Sequence, residues 1–207
     1  MVSTSQRATS KGLVGWVLAV WFLLALAASL SGVLRGARNQ PPVLLGLAVV
    51  LPVVIFVVGW YRSVRFQRLI ASVDVQTLML LQIGRVVGVV FLFLYAFGAL
   101  PAVFALPAGL GDMLTGAAAP FLARRTASKT GSWQGALIAW NIFGMVDLLV
   151  AVSLGVLTSP SPLGVLAGAT TSAPMATFPL SLIPTFLVPF YFMLHLITLR
   201  YARAQRN

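Results

Sequence analysis

The sequence contains no cysteine, one histidine and three acidic residues, and charged side chains make up only 8% of its 207 positions. Without cysteine there is no disulfide, no thiolate metal site and no cysteine nucleophile. The lone histidine, His195, cannot supply both axial ligands of a haem, and no thiolate is there to assist it. No metal site and no cofactor are therefore expected. The two lysines, Lys11 and Lys129, fall outside the hydrophobic segments, so a retinal-type Schiff base within a span is excluded as well. A Walker motif, an HExxH helix, a filter-like loop and a nucleophile elbow are all missing. An enzyme is for these reasons the weaker reading of the chain. The scarcity of charge excludes more than any motif does: a soluble domain carries about 25% charged residues, so a water-exposed surface cannot be built from this composition.

What is present is hydrophobic sequence, at 59% of residues and a mean hydropathy of +0.99. It falls into segments long enough to cross a bilayer, for which about 20 apolar residues suffice. The expected fold is all-α: a polytopic integral membrane protein with a six-helix transmembrane bundle. The spans are expected at about 13–34, 43–60, 78–100, 101–123, 133–157 and 178–199. Tails at 1–12 and 201–207 flank one transmembrane domain, 13–200. The apolar run from Leu13 to Leu34 resembles a signal peptide, with Ala25-Leu26-Ala27 as a possible cleavage site, but its length suits an uncleaved first helix. Between Trp60-Tyr61 and the third span, Arg62, Arg65 and Arg68 recur at a spacing of three among Val64, Phe66, Leu69 and Ile70. This predicts a short amphipathic segment on the membrane surface.

The net charge of +11 does not point to nucleic acid, because the basic residues are dispersed in short loops without interleaved aromatics. Their distribution follows the positive-inside bias. With six spans, Arg7, Lys11, Arg62, Arg65, Arg68, Arg124, Arg125, Lys129, Arg200, Arg203 and Arg206 share one side, against Arg35 and Arg38 on the other. Both termini are thus expected in the cytoplasm, with anionic lipid headgroups as neighbours of the basic loops. The preference for arginine over lysine suggests a bacterial plasma membrane.

The chemistry lies in a few polar residues within spans: Gln82, Arg85, Asp112, Asn141, Asp147 and His195. Polar and ionisable residues at membrane depth face the bundle and pair with one another. Arg85 stays charged and needs a partner, and Asp112 and Asp147 are the available anions. If one pairs with Arg85, the other becomes a candidate proton carrier, because burial without an opposite charge penalises its ionised form. Small and polar residues follow helical spacing: Gly84 with Gly88 forms a GxxxG, Asp112, Thr115, Gly116 and Ala119 share a face, and Tyr191, His195 and Thr198 share another. Pro107, Gly109 and Gly111 predict a break in the fourth helix, at which free N–H groups can hold an anion or polar substrate. Asp112 is placed to cap the helix that would restart there. Three functions remain: a small transporter-like or proton-linked protein; a non-catalytic subunit or assembly factor of a membrane complex, with a homo-oligomer or membrane-protein partner; and, last, an enzyme acting on a lipid or quinone.

Overall fold

The computed structural model describes residues 4–36 and 40–205, with side chains from Gly12 onward. Arg38 and Arg206, and the side chains of Arg7 and Lys11, lie outside what is described. The described chain is helical with no strand, and six of its helical stretches are long and apolar enough to cross a membrane. The chain is an integral membrane protein by these six stretches.

Helix α1 runs from Thr4 to Ser31, so residues 4–12, expected as part of a tail, continue the first helix. It stops at Gly32, whose left-handed φ of 74° glycine adopts without a Cβ penalty. Pro41 and Pro42 precede α2 (Val43–Arg62), which contains Pro52. Ser63 then turns the chain and caps α3 (Val64–Ala71), its hydroxyl accepting from the Phe66 amide at 3.2 Å. This is the short amphipathic helix that the arginine spacing predicts. Asp74 caps α4 (Val75–Leu81), accepting from the Thr77 amide at 2.8 Å.

The third span consists of α4, a tightened stretch at Gln82–Gly88 with three residues per turn, and α5 (Val89–Ala96). The fourth is α6 (Ala102–Ser128), led in by Pro101, and the fifth is α7 (Trp133–Leu157). After a loop, the sixth begins with a widened turn at Ile183–Leu187 and continues as α8 (Val188–Ala204). Pro189 lacks an N–H and its ring would collide with the carbonyl four residues back, which a widened turn avoids.

The break expected at Pro107, Gly109 and Gly111 is not seen, since α6 passes through all three as one helix. The glycines serve close approach instead. A Cβ on Gly109 would come within 2.8 Å of Leu92 and 3.0 Å of the Gly88 carbonyl, and one on Gly116 within 2.9 Å of the Val86 amide nitrogen. Pro107 is exposed on the outer side of the bundle. Backbone irregularity lies in the stretch of the third span that carries Gln82 and Arg85, and at the start of the sixth, before His195.

Helix α6 is the centre of the bundle, packed against the third span and α7, with α8 lying along α7. It buries residues from Phe104 to Thr126, whereas α2 buries none and stands at the periphery against α8. Of three apolar clusters in the interior, Leu78, Leu148, Tyr191 and Leu194 form one, and the other two separate along α6. Phe91, Leu100, Phe104, Ala105, Ala108 and Met175 form one, and Met79, Ala119, Leu122, Trp133, Leu137 and Trp140 belong to the other. Along α6, Asp112 falls between them. Polar side chains at that level have packed apolar ones above and below them, while Asp112 itself stays partly exposed.

Candidate functional site

Four helical segments meet at Arg85, which is 1% exposed. Its Nε–H donates to Asp112 Oδ1 on α6 at 2.6 Å, and Nη2 donates to Asp147 Oδ2 on α7. Nη1 donates to the Gly144 carbonyl at 3.2 Å and lies 3.0 Å from His195 Nε2 on α8. The guanidinium is suited to this because its fork directs donors to several sides at once, which an ammonium on a flexible stem does not. The expectation that one acid would pair with Arg85 and leave the other alone is corrected: both carboxylates bind it. Nor does Asp112 cap a helix, since it sits within unbroken α6.

The tautomer of His195 follows from its partners. Asn141 donates its amide N–H to the Leu137 carbonyl at 2.8 Å, so its Oδ1 is an acceptor. His195 Nδ1, 2.9 Å away, must carry the proton it donates there, which leaves Nε2 free to accept from Arg85. His195 is therefore the neutral imidazole, and it adds no second cation beside the guanidinium. Thr198 donates to the same Asn141 oxygen at 2.5 Å. The Trp140 ring stands edge-on to the imidazole, with centroids 4.9 Å apart, and its indole N–H donates to the Thr115 carbonyl at 3.0 Å.

Glycine makes the gathering possible at three points. A Cβ on Gly144 would overlap the His195 imidazole, one on Gly111 the Asp147 carboxylate, and one on Gly88 the Asp112 side chain. Each glycine gives up packing of its own so that a polar group on another helix can reach the centre. Gly111 thus belongs to the site, though as a space-maker and not as a backbone break. Gln82 sits at the edge, donating to the Tyr191 carbonyl at 3.2 Å, while its Oε1 is buried with no hydrogen-bond partner among the described residues.

Of the residues the sequence singles out, Arg85, Asp112, Asn141, Asp147 and His195 are brought together, with Gln82 adjoining and Pro107 elsewhere. The sequence reading misses Gly144 as a ligand of Arg85, although the spacing Asn141, Gly144, Asp147 puts all three along one stripe of α7. It also misses a cavity of about 780 Å³ between α2 and the bundle. Phe91, Phe104, Leu148, Ile183 and Val188 contribute to its apolar wall, Val43–Val50 of α2 flank it, Arg35 and Gln40 stand at its loop end, and Asp112 lines its far end. No local signal could reveal this, because the lining comes from residues far apart in sequence.

With Arg85 and both carboxylates ionised and His195 neutral, the cluster holds one excess negative charge. A proton on one carboxylate neutralises it and need not disturb the other ion pair. Among the described residues, no three His, Cys, Asp or Glu side chains gather where they could hold a metal ion.

The family model described as "Domain of unknown function (DUF8737)" matches residues 42–203, a stretch that contains the whole cluster. No curated protein and no solved structure matches the chain.

Proposed function

The chain belongs to this DUF8737 family, and from the geometry of its buried site we propose that it is a small, proton-linked, transporter-like protein of the plasma membrane. The observation that supports this is the imbalance at Arg85: one guanidinium, two carboxylates from two different helices, and an opening from Asp112 onto a cavity. An ion pair serving only to join two helices needs one acid for one base, and an unbalanced buried charge is costly unless it is put to use. In this reading Asp112 and Asp147 share a single exchangeable proton, Arg85 holds both in place, and the neutral His195–Asn141 pair fixes the guanidinium from the other side. The apolar clusters on either side limit proton access to the cavity. Both termini face the cytoplasm, where the basic loops meet anionic headgroups.

The test is infrared difference spectroscopy of the purified protein in lipid as pH is stepped. A protonated-carboxyl C=O band should rise as pH falls and be lost in both Asp112→Asn and Asp147→Asn. Proteoliposomes carrying either variant should likewise lose pH-driven proton uptake. A band unchanged by both substitutions would sink the proposal.

A further inference from the structure

The cavity beside the cluster has two features that together specify a ligand. Its wall is apolar along nearly its whole length, with Phe91, Phe104, Leu148, Ile183 and Val188 contributing from four parts of the bundle. Its far end carries Asp112, whose Oδ1 is bonded to Arg85 while Oδ2 receives no hydrogen bond among the described residues. From Ala102 at the loop end of α6 to Asp112 is ten residues, or about 15 Å of helix. A volume of about 780 Å³ over that depth suits a drug-sized molecule.

Charge decides which molecule. The cluster is one positive charge short when its carboxylates are ionised, and it is held out of water, where attraction is strong. Arg35 stands at the loop end and repels a cation, but it is exposed and screened by solvent. Its repulsion across that depth is weaker by about tenfold than the attraction of the buried excess charge at contact. An anionic or neutral apolar molecule would fill the wall equally well and leave the imbalance in place.

We infer that the cavity binds an apolar cation, a hydrophobic molecule bearing one positive charge, with that charge beside Asp112 in place of the exchangeable proton. This rests on the proton-sharing reading above and names the ligand class for the same site. The exchange balances: the cation enters as the carboxylate releases one proton to water, and the charge of the cluster is neutralised in either state. No covalent bond forms or breaks.

The probe pair is tetraphenylphosphonium and tetraphenylborate, which are alike in size and apolar surface and opposite in charge. Binding is measured by equilibrium dialysis with the full chain in nanodiscs of zwitterionic lipid. Saturable phosphonium binding is expected, tighter than borate binding by about tenfold or more and weakening as pH falls. Asp112→Asn should reduce it by about tenfold or more. Gly46→Phe provides a second variant remote from the cluster, because Gly46 lines the cavity and a Cβ there meets nothing within 4 Å. It should block phosphonium while leaving the carboxyl infrared band unchanged. Equal binding of borate would overturn the inference, as would phosphonium binding that survives either substitution. If the carboxyl band titrates but phosphonium does not bind, the ligand class is wrong and the proton site stands. If the band itself is missing, both fail.

Discussion

Arg85 is the residue on which the interior depends, and the cost of losing it follows from what it holds. Removing one partner of a buried ion pair is worth about 3–5 kcal/mol, because the charge left behind is uncompensated. Arg85→Met strands two carboxylates and a histidine acceptor, so the variant should melt well below the parent in detergent, with a loss of at least about 3 kcal/mol. Combining it with Asp112→Asn and Asp147→Asn should recover much of that loss, since the stranded charges are gone. Thermal unfolding of the single and triple variants checks this, and a single variant as stable as the parent would contradict the role given to Arg85. Composition makes part of this centre legible: with so few ionisable residues inside spans, Arg85, Asp112 and Asp147 have almost no one else to meet. The division of the guanidinium between both acids is not legible, because it depends on how α6 and α7 approach and not on spacing within either helix.

Among the elements, α6 shows how the same residues can be misread. Pro107, Gly109 and Gly111 read as a helix break, yet the helix is continuous and these glycines, like Gly116, mark where other helices come close. Periodicity contains this information, since Gly109 and Gly116 are seven residues apart and fall on one side. Local propensity, which scores glycine and proline as breakers, pulls the other way, and tertiary packing decides. A paired substitution separates the two readings. In Gly116→Ala the new methyl meets backbone, 2.9 Å from the Val86 nitrogen and 3.1 Å from the Gln82 carbonyl, so α6 must move away from the third span. Overpacking of this kind costs about 1–3 kcal/mol. Gly135→Ala in α7 meets nothing within 4 Å, and should be neutral or stabilising by up to about 1 kcal/mol through helix propensity alone. If Gly116→Ala were as stable as Gly135→Ala in the same unfolding assay, α6 and the third span would not pack as described. The cavity beside α2 belongs to the same lesson. Hydropathy reveals that α2 is a span, but not that it stands off from the bundle and leaves a space lined by four other spans.

Across the whole molecule, the ends of the helices sort by charge. The Arg200 guanidinium lies 5.3 Å from the centroid of the Trp60 ring, joining the end of α8 to the end of α2, and Trp133 at the start of α7 meets Tyr201 at 6.3 Å. These contacts put Arg62, Arg124, Arg125, Arg200 and Arg203 at one end of the bundle, where α6 also finishes. Arg35 stands at the other end, at the mouth of the cavity. In the orientation proposed above, with the positive loops on the cytoplasmic face, the cavity would open toward the outside. The absence of native cysteine allows a direct test with single-cysteine variants and a membrane-impermeant maleimide. Ala169→Cys, exposed in the loop between α7 and the widened turn, should label in intact cells. Ala127→Cys, exposed near the end of α6, should label only after permeabilisation. The reverse pattern would turn the molecule over and open the cavity to the cytoplasm. The Asp112 proton would then be exchanged with the cell interior, and an apolar cation would be taken up from that side.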